Sequence, residues 1–404
     1  MADITGAAAG LEFGVYLPQV SLSFEQMLGR ALECERLGYD ALWLYDHLYA
    51  PGLPGVPSLE PWTLATALLA RTSRLRAGHL VLCNNFRHPA VLGKMATTLD
   101  VISGGRLELG IGSGSVPDEH DQAGLPWGSP RERGERLREA LEIITRMFDP
   151  GGTGSPTATY EGSYYSVRDL PNLPAPAQRP RPPIHIGGAG RKLTLPLVAR
   201  YADVWNIPTY ALDRIGELTA ALDAECERIG RDPASIRRSI EAVMVVAPAS
   251  QLDDAMARAR RHYGGPGYGL EEGGLAGTPQ RVADRIAELA GQGFSSFIFF
   301  THDRASTPTL ELFASEVMSQ FPRLRPVTDV PVDAEPGLLL DIESGSPYLA
   351  NQVLRPKGGE RVHDPVRRPG DGRDHLKARS PPIPNVPSPR PNTTARSRDA
   401  CFLT

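Results

Sequence analysis

Short apolar segments alternate with amphipathic segments from Leu11 to Phe321. An apolar run such as residues 296–301 (SFIFFT) has the length of a buried strand, whereas residues 24–37 place apolar side chains at helical spacing. The pattern predicts eight strands, at residues 11–18, 41–45, 75–82, 106–111, 184–186, 203–207, 239–247 and 296–301. Nearly every strand precedes a helical pattern, which is typical of βαβ units and a parallel sheet.

The predicted helices carry recognisable start and stop signals. Ser23 precedes the first helix and Gly38 follows it, while Ser129 and Pro130 open the fourth helix. The predicted helices are residues 24–37, 61–70, 90–101, 130–148, 192–201, 211–229, 252–262, 279–292 and 307–321. Eight parallel strands can close without leaving edges, so the sequence predicts the α/β class and a (β/α)8 TIM barrel. A doubly wound open sheet is the alternative, but no G-x-G-x-x-G motif follows the first strand.

Two stretches interrupt this alternation. Residues 151–183 are rich in Gly, Pro and Tyr and are predicted as an insertion after the fourth helix. Residues 326–404 are rich in Pro and poor in aromatic side chains, so they are predicted as a disordered tail. The chain then divides into an N-terminal extension (1–10), a barrel (11–325) and the tail (326–404). Docking of the Pro-rich tail to a partner in the polyproline form is the alternative for that segment.

Charge and composition argue against several classes of function. Lys and Arg number 43 against 47 Asp and Glu, and this net charge of −4 gives no general attraction to nucleic acid or anionic membranes. No apolar run approaches the length of a membrane span, and no basic residue precedes Arg30, so a cytoplasmic protein is expected. The four cysteines form no C-x-x-C motif, and no metal site is predicted.

The ends of the predicted strands carry the candidate chemistry, because the active site of a TIM barrel lies at the carboxyl ends of its strands. Asp46 and His47 follow the second strand and are the candidate acid/base pair. A histidine that only packs is the alternative interpretation of His47. The turn of Gly112, Ser113 and Gly114 follows the fourth strand, where glycines allow a ligand to approach the backbone.

A second glycine turn follows the fifth strand. Gly187, Gly188, Ala189, Gly190 and Arg191 lead into a helix that is predicted to start near Arg191. Free backbone N–H groups at a helix start suit a phosphate, and a tight turn without a ligand is the alternative. No G-x-S-x-G motif is present, so acyl transfer has no support.

Taken together, these motifs resemble the luciferase-like superfamily of flavin- and deazaflavin-dependent oxidoreductases. The matching stretches are residues 42–47 (LWLYDH), 86–90 (FRHPA), 99–114 (LDVISGGRLELGIGSG) and 182–190 (PPIHIGGAG), and residues 160–165 (YEGSYY) and 202–205 (ADVW) fit as well. The likeness covers residues 11–321. It implies reduced FMN or coenzyme F420 across the strand ends, with the ring near the third and fourth strands and the phosphate at residues 187–191.

The resemblance also carries expectations for single residues. It implies a non-proline cis peptide at Leu80 and Val81, against which the ring would lie. The Asp46-His47 pair looks like the F420-using branch, which implies hydride transfer with His47 close to the ring. A reduced-FMN monooxygenase is the alternative within the class, and a non-catalytic flavin-binding barrel or an interaction protein acting through the tail are alternatives of other classes.

Two departures bear on the substrate. The F420-dependent sugar-phosphate dehydrogenases have a glutamate directly after the G-x-G turn, where this chain has Ser115. Their loop after the sixth strand carries a cation for the sugar phosphate, and residues 206–210 contain none. We therefore expect a neutral or apolar small organic substrate. Dimers are common in the resembled family, so a homodimer is one expected assembly.

Overall fold

The computed structural model describes residues 10–149, 157–264, 268–270 and 274–323. The predicted tail and nearly all of the predicted N-terminal extension lie outside these residues. The strands are β1 (Glu12–Tyr16), β2 (Ala41–Leu44), β3 (Arg76–His79), β4 (Leu82–Cys83), β5 (Leu107–Gly112), β6 (Thr157–Glu161), β7 (Ser166–Pro171), β8 (Ile184–Gly187), β9 (Val204–Ile207), β10 (Arg237–Val246), β11 (Leu275–Gly277) and β12 (Ser296–Thr301).

Eight of these described strands close into a parallel barrel. The hydrogen-bonded order runs β12-β1-β2-β3-β5-β8-β9-β10, and β10 pairs with β12 to complete the circle. Two short strands, β4 and β11, extend the sheet beside β5 and β10. The predicted (β/α)8 fold is confirmed.

Helices surround the barrel. They are α1 (Phe24–Leu37), α2 (Pro61–Leu69), α3 (Pro89–Ser103), α4 (Pro117–Ala123), α5 (Pro130–Phe148), α6 (Thr194–Tyr201), α7 (Ile215–Ile229), α8 (Leu252–Tyr263), α9 (Pro279–Gly291) and α10 (Thr307–Glu316). The predicted caps of α1 form, since Ser23 accepts from the backbone N–H of Gln26 and Gly38 adopts a left-handed φ of +82°. Across the described ranges, no helix combines the length and apolarity needed to cross a membrane.

The boundaries of helices α6 and α10 were predicted wrongly, and one helix was missed. Helix α6 begins at Thr194 rather than near Arg191, after a turn of three residues. The last predicted helix ends at Glu316 and is followed by a short 3₁₀ turn over Met318–Gln320. Helix α4 was not predicted, although Pro117 at its first position and acidic residues in its first turn are ordinary start signals.

The predicted third strand is two strands. β3 ends at His79 and β4 begins at Leu82, and the Leu80–Val81 peptide between them is cis, as expected from the resemblance. The neighbouring strand β5 fits closely against this segment through two glycines. A Cβ atom on Gly110 would lie 1.9 Å from the His79 carbonyl oxygen, and one on Gly112 would lie 2.6 Å from a methyl group of Val81.

The described part of the insertion forms an antiparallel hairpin of β6 and β7. Glu139 of α5 fastens it to the barrel, because its buried carboxylate accepts backbone N–H groups from Ser163, Tyr164 and Tyr165 at 2.8–3.1 Å. The insertion is therefore packed structure at this point rather than a loose loop.

A chain of ion pairs crosses the barrel near the amino-terminal ends of its strands. Arg237 contacts Glu12 at 2.7 Å, Glu12 contacts Arg76 at 2.8 Å, and Arg76 contacts Glu108 at 2.6 Å. Glu108 then contacts Nε2 of His185 at 2.6 Å. Burial alone would raise the pKa of Glu108, but Arg76 and His185 outweigh it and hold the pKa at about 2. We name this set of five residues the ion chain.

Candidate active site

A cavity of about 170 Å³ opens at the carboxyl ends of the barrel strands. Five of the predicted site residues contribute to its wall: Asp46, His47, Leu80, Val81 and Gly114. The other lining residues are Tyr16, Pro18, Val20, Tyr45, Ala50, Pro51, Leu53, Leu82, Cys83, Phe86, Ser115, Val116, Glu119, His120, Glu241, Tyr268 and Phe300. We call this space the central cavity.

His47 pairs with a carboxylate that the sequence did not suggest. Its Nδ1 lies 2.7 Å from Oε2 of Glu119 on α4. Glu119 is almost fully buried, and its Oε1 accepts the backbone N–H groups of Leu48 and Tyr49 at 2.8 and 3.4 Å. An ionised carboxylate only accepts hydrogen bonds, so Nδ1 carries the hydrogen and Nε2 remains to exchange a proton with a ligand.

Asp46, the other member of the predicted acid/base pair, contacts Arg87 rather than the ring of His47. Its Oδ2 accepts from Arg87 at 2.7 Å and from the backbone N–H of Cys83 at 2.8 Å, while Oδ1 accepts from Arg87 at 3.0 Å. Arg87 also contacts Glu60 at 2.9 Å. Asp46 therefore ties the end of β2 to β4 rather than to the imidazole.

A second polar pair lies in the wall of the central cavity. Sγ of Cys83 lies 3.6 Å from Nε2 of His120, whose Nδ1 lies 3.0 Å from the Val116 carbonyl oxygen. Burial, with a contribution from Asp46, raises the pKa of the Cys83 thiol to about 12. Cys83 is therefore a neutral thiol at physiological pH and a poor nucleophile.

Another part of the wall of the central cavity is aromatic and carries one carboxyl group. The rings of Tyr16 and Phe300 lie 4.4 Å apart, and Tyr268 packs against Phe300 at 6.2 Å. Beside them, Oε2 of Glu241 accepts from the amide of Asn206 at 3.2 Å. Burial raises the pKa of Glu241 to about 8, so this carboxyl group is protonated near neutral pH.

A separate cavity of about 340 Å³ lies between the ends of β5 and β8. It brings predicted Ser113 together with predicted Gly190 and Arg191. The remaining lining residues are Pro130, Arg133, Gly134, Leu137, Lys192, Leu193, Thr194 and Leu197. We call it the cationic cavity, because Arg133, Arg191 and Lys192 contribute to its wall.

Arg133 is a residue that sequence analysis missed. Its guanidinium lies 3.8 Å from the centre of the Trp127 ring, and Nη1 donates to the Gly128 carbonyl oxygen at 3.0 Å. Its Nε is buried without a hydrogen-bond partner among the described residues. Burial lowers the pKa of Arg133, and no Asp or Glu is among the described residues that line the cationic cavity. Arg191, by contrast, pairs with Glu217 at 3.1 Å and is largely exposed.

The glycine turn after β8 shapes the edge of the cationic cavity. Gly188 has a φ of +121°, donates its N–H to Asn206 at 3.1 Å, and accepts from the indole of Trp205 at 3.0 Å. A Cβ atom on Gly190 would lie 2.8 Å from Oγ1 of Thr194. Gly112, Gly187, Gly188 and Ala189 line neither of the two described cavities and contribute backbone shape instead.

The two cavities fit the cofactor type that the motifs suggested. The cationic cavity combines glycine backbone, the hydroxyl groups of Ser113 and Thr194, and Arg133 with its unpaired Nε. Such a donor set is suited to a phosphate group. Leu80 and Val81, which are joined by the cis peptide, line the central cavity, where a flat ring could pack.

Comparisons with known proteins agree with the fold and motifs. The family model described as luciferase-like monooxygenase matches residues 11–274. An F420-dependent glucose-6-phosphate dehydrogenase of Microbacterium testaceum is 30% identical over 347 residues, covering 78% of this chain and 98% of the relative. An F420-dependent hydroxymycolic acid dehydrogenase of Mycobacterium tuberculosis is 28% identical over 247 residues, covering 61% and 65%.

Solved structures share the architecture at lower identity. An F420-dependent secondary alcohol dehydrogenase in complex with an F420-acetone adduct has a TM-score of 0.64 at 17% identity, covering 76% of this chain and 98% of its own. A long-chain alkane monooxygenase also has a TM-score of 0.64 at 17% identity, covering 78% and 91%. At such identities the likeness supports the fold alone.

Proposed function

This chain belongs to the luciferase-like monooxygenase family, and from that premise we propose that it is an oxidoreductase that uses coenzyme F420 to transfer hydride to or from a small uncharged organic substrate. The observation that carries the proposal is the His47–Glu119 pair in the wall of the central cavity. The F420-dependent relatives favour the deazaflavin over FMN.

Arg133, Ser113, Thr194 and the backbone at Gly190 would hold the cofactor phosphate in the cationic cavity. Leu80 and Val81 would support the ring from the barrel side. When bound, the deazaflavin supplies or takes up the hydride. The protein then needs to hold the substrate against the ring and to exclude water.

His47 would exchange the proton that accompanies hydride transfer. For reduction of a carbonyl, the carbon receives the hydride and the oxygen receives a proton; oxidation of an alcohol reverses both transfers. Glu119 orients the ring through Nδ1 and stabilises the imidazolium that forms when Nε2 takes up a proton from an alcohol.

The charge of the central cavity favours an uncharged substrate. Its described lining contains the carboxyl groups of Asp46, Glu119 and Glu241 and no Lys or Arg side chain. A phosphorylated sugar would therefore find no cation in the described lining to receive its phosphate. The substrate of the glucose-6-phosphate dehydrogenase relatives is accordingly not the one we propose here.

Parallel titrations of the purified protein with F420 and with FMN test the proposal. Cofactor fluorescence reports binding in both. We expect F420 to bind at least about tenfold more tightly, which corresponds to about 1.4 kcal/mol. Tighter binding of FMN, together with oxygen consumption when FMN is reduced, would instead support the monooxygenase alternative. Binding of neither cofactor would remove the proposed chemistry.

A further inference from the structure

Glu241 occupies an unusual position for a carboxyl group. It lies on β10, is only 3% exposed, and forms part of the wall of the central cavity beside Tyr16 and Phe300. The His47–Glu119 pair lies elsewhere in the same wall, on the β2 and α4 side. A polar group that lines an otherwise aromatic wall can fix the orientation of a ligand.

We propose that Glu241, as a neutral carboxylic acid, donates a hydrogen bond to the oxygen of an uncharged carbonyl or alcohol substrate. This inference rests on the proposed function, because that function makes the central cavity the substrate site. It names the substrate class by its chemistry: a molecule with an uncharged oxygen acceptor and an apolar body that packs against the aromatic wall.

The hydrogen bonds around Glu241 define which oxygen carries the proton. Oγ of Ser239 donates to Oδ1 of Asn206 at 2.5 Å, so the amide of Asn206 points its NH₂ group at Glu241. That NH₂ group donates to Oε2 of Glu241 at 3.2 Å. Oε2 is therefore the accepting oxygen, and the proton of the neutral acid belongs on Oε1. Oε1 is the oxygen that remains for a ligand.

Among the described residues, no group around Glu241 would ionise the acid at neutral pH. The titratable side chains that sense its charge are Tyr16 and Tyr268, and burial raises the pKa of both phenols, so they stay neutral. The contact from β9 is the neutral amide of Asn206, and β12 contributes Phe300. Desolvation thus sets the protonation state, and the donor is lost as pH rises through about 8.

The protonation state of Glu241 should determine which ligands the central cavity prefers at a given pH. An uncharged carbonyl accepts the hydrogen bond below pH 8, whereas the ionised Glu241 above pH 8 would repel the same oxygen. A carboxylate or phosphate ligand of similar size gains nothing from Glu241 above that pH and lacks a cation in the described lining. Affinity for a ketone should therefore fall with rising pH.

Infrared spectroscopy of ketone binding tests the inference directly. The probe is cyclohexanone with a ¹³C-labelled carbonyl, added to protein that carries oxidised F420, which cannot deliver a hydride. We expect the carbonyl stretch of the bound ketone to shift to lower frequency well below pH 8 and to lose this shift well above it. Glu241→Leu should remove the shift and weaken binding by roughly three- to tenfold, the effect of one neutral hydrogen bond.

Glu241→Gln is the second variant, because its amide donates at every pH and preserves the shape of the side chain. It should bind cyclohexanone with little dependence on pH. Glu288→Gln, on the exposed face of α9, is the matched control and should behave as the unmodified protein. Thermal melting of each variant checks that it is folded.

Three results would overturn the inference. The first is an unchanged carbonyl shift and affinity in Glu241→Leu, and the second is the absence of cyclohexanone binding to the unmodified protein. The third is a loss of F420 affinity in Glu241→Gln with ketone binding unaffected, which would place Glu241 against the cofactor. If the protein binds no F420 at all, the proposed function fails by itself, and the same spectra of cofactor-free protein still test Glu241.

Discussion

His47 and Glu119 are 72 positions apart in the chain, yet Nδ1 of the histidine lies 2.7 Å from the glutamate Oε2. The carboxylate is almost fully buried and is held in place by two backbone N–H groups that follow His47. The pair is thus a rigid unit in which the histidine has one defined tautomer. Its neighbour Asp46 belongs to a different unit, with Arg87.

Replacing either member of this pair should reduce catalysis. His47→Ala should lower turnover by roughly 10²–10⁴-fold, because the proton that accompanies hydride transfer loses its carrier. Glu119→Gln should cause a smaller loss, since the amide can still contact the ring but cannot stabilise an imidazolium. Turnover is measured per folded, F420-loaded protein. Near-normal turnover of His47→Ala on that basis would leave the histidine a packing role only.

Asp46→Asn should act on stability more than on turnover. The amide keeps one acceptor oxygen but weakens the contact with Arg87, whose guanidinium is mostly buried. We expect a loss of roughly 1–3 kcal/mol in the free energy of unfolding, measured by chemical denaturation. A fall in turnover larger than that of Glu119→Gln would contradict this separation of roles.

Arg133→Met should weaken F420 binding by about tenfold or more, because it removes the partly buried cation of the cationic cavity while it keeps an apolar side chain against Trp127. Arg191→Met is the matched comparison and should have a smaller effect, since Arg191 is exposed and already paired with Glu217. Fluorescence titration measures both. Equal losses of F420 affinity in the two variants would mean that the phosphate contacts exposed residues at the edge of the cationic cavity, such as Arg191, rather than Arg133.

Glu108→Gln should destabilise the barrel in a manner that depends on pH. The pKa of Glu108 lies near 2 in the folded protein, below its usual 4.5, so its ionised form stabilises the fold above about pH 4.5. At neutral pH the variant should lose roughly 3–5 kcal/mol, because Arg76 and His185 lose their shared carboxylate. The difference in unfolding free energy between the variant and the unmodified protein should shrink as pH falls from about 4.5 towards 2. Urea unfolding at each pH measures this difference.

Cys83 should resist alkylation although it lines the central cavity. Its pKa of about 12 leaves roughly one thiolate in 10⁴ at pH 8, so iodoacetamide should modify it far more slowly than an ordinary thiol. Cys34, in α1 and away from the cavity, also has a pKa of about 12 and serves as the internal reference. Mass spectrometry of native protein gives the rates. Rapid modification of Cys83 would show that its thiol is ionised and that His120 stabilises the thiolate.

The sequence supported the barrel well because alternation of strands and helices is a local signal that repeats along the chain. It was less informative about contacts between elements. Asp46 and His47 are adjacent in the sequence, but their side chains pair with Arg87 and Glu119 respectively, so adjacency did not make them partners. Glu119 and Arg133 reach the two cavities from α4 and α5, and only the closed barrel brings them there. The cis peptide at Leu80–Val81 followed from family resemblance rather than from residue pattern.

The ion chain has a consequence for how the barrel can fold. Its five members, Glu12, Arg76, Glu108, His185 and Arg237, come from five different strands, and the contacting pair Glu12 and Arg237 lies 225 positions apart in the chain. A partial barrel that ends at β8 can form the contacts among Glu12, Arg76, Glu108 and His185, but it leaves Glu12 without Arg237. That last contact forms only when β10 is in place and the circle closes, so it adds stabilisation that a half-barrel lacks and should make assembly more cooperative.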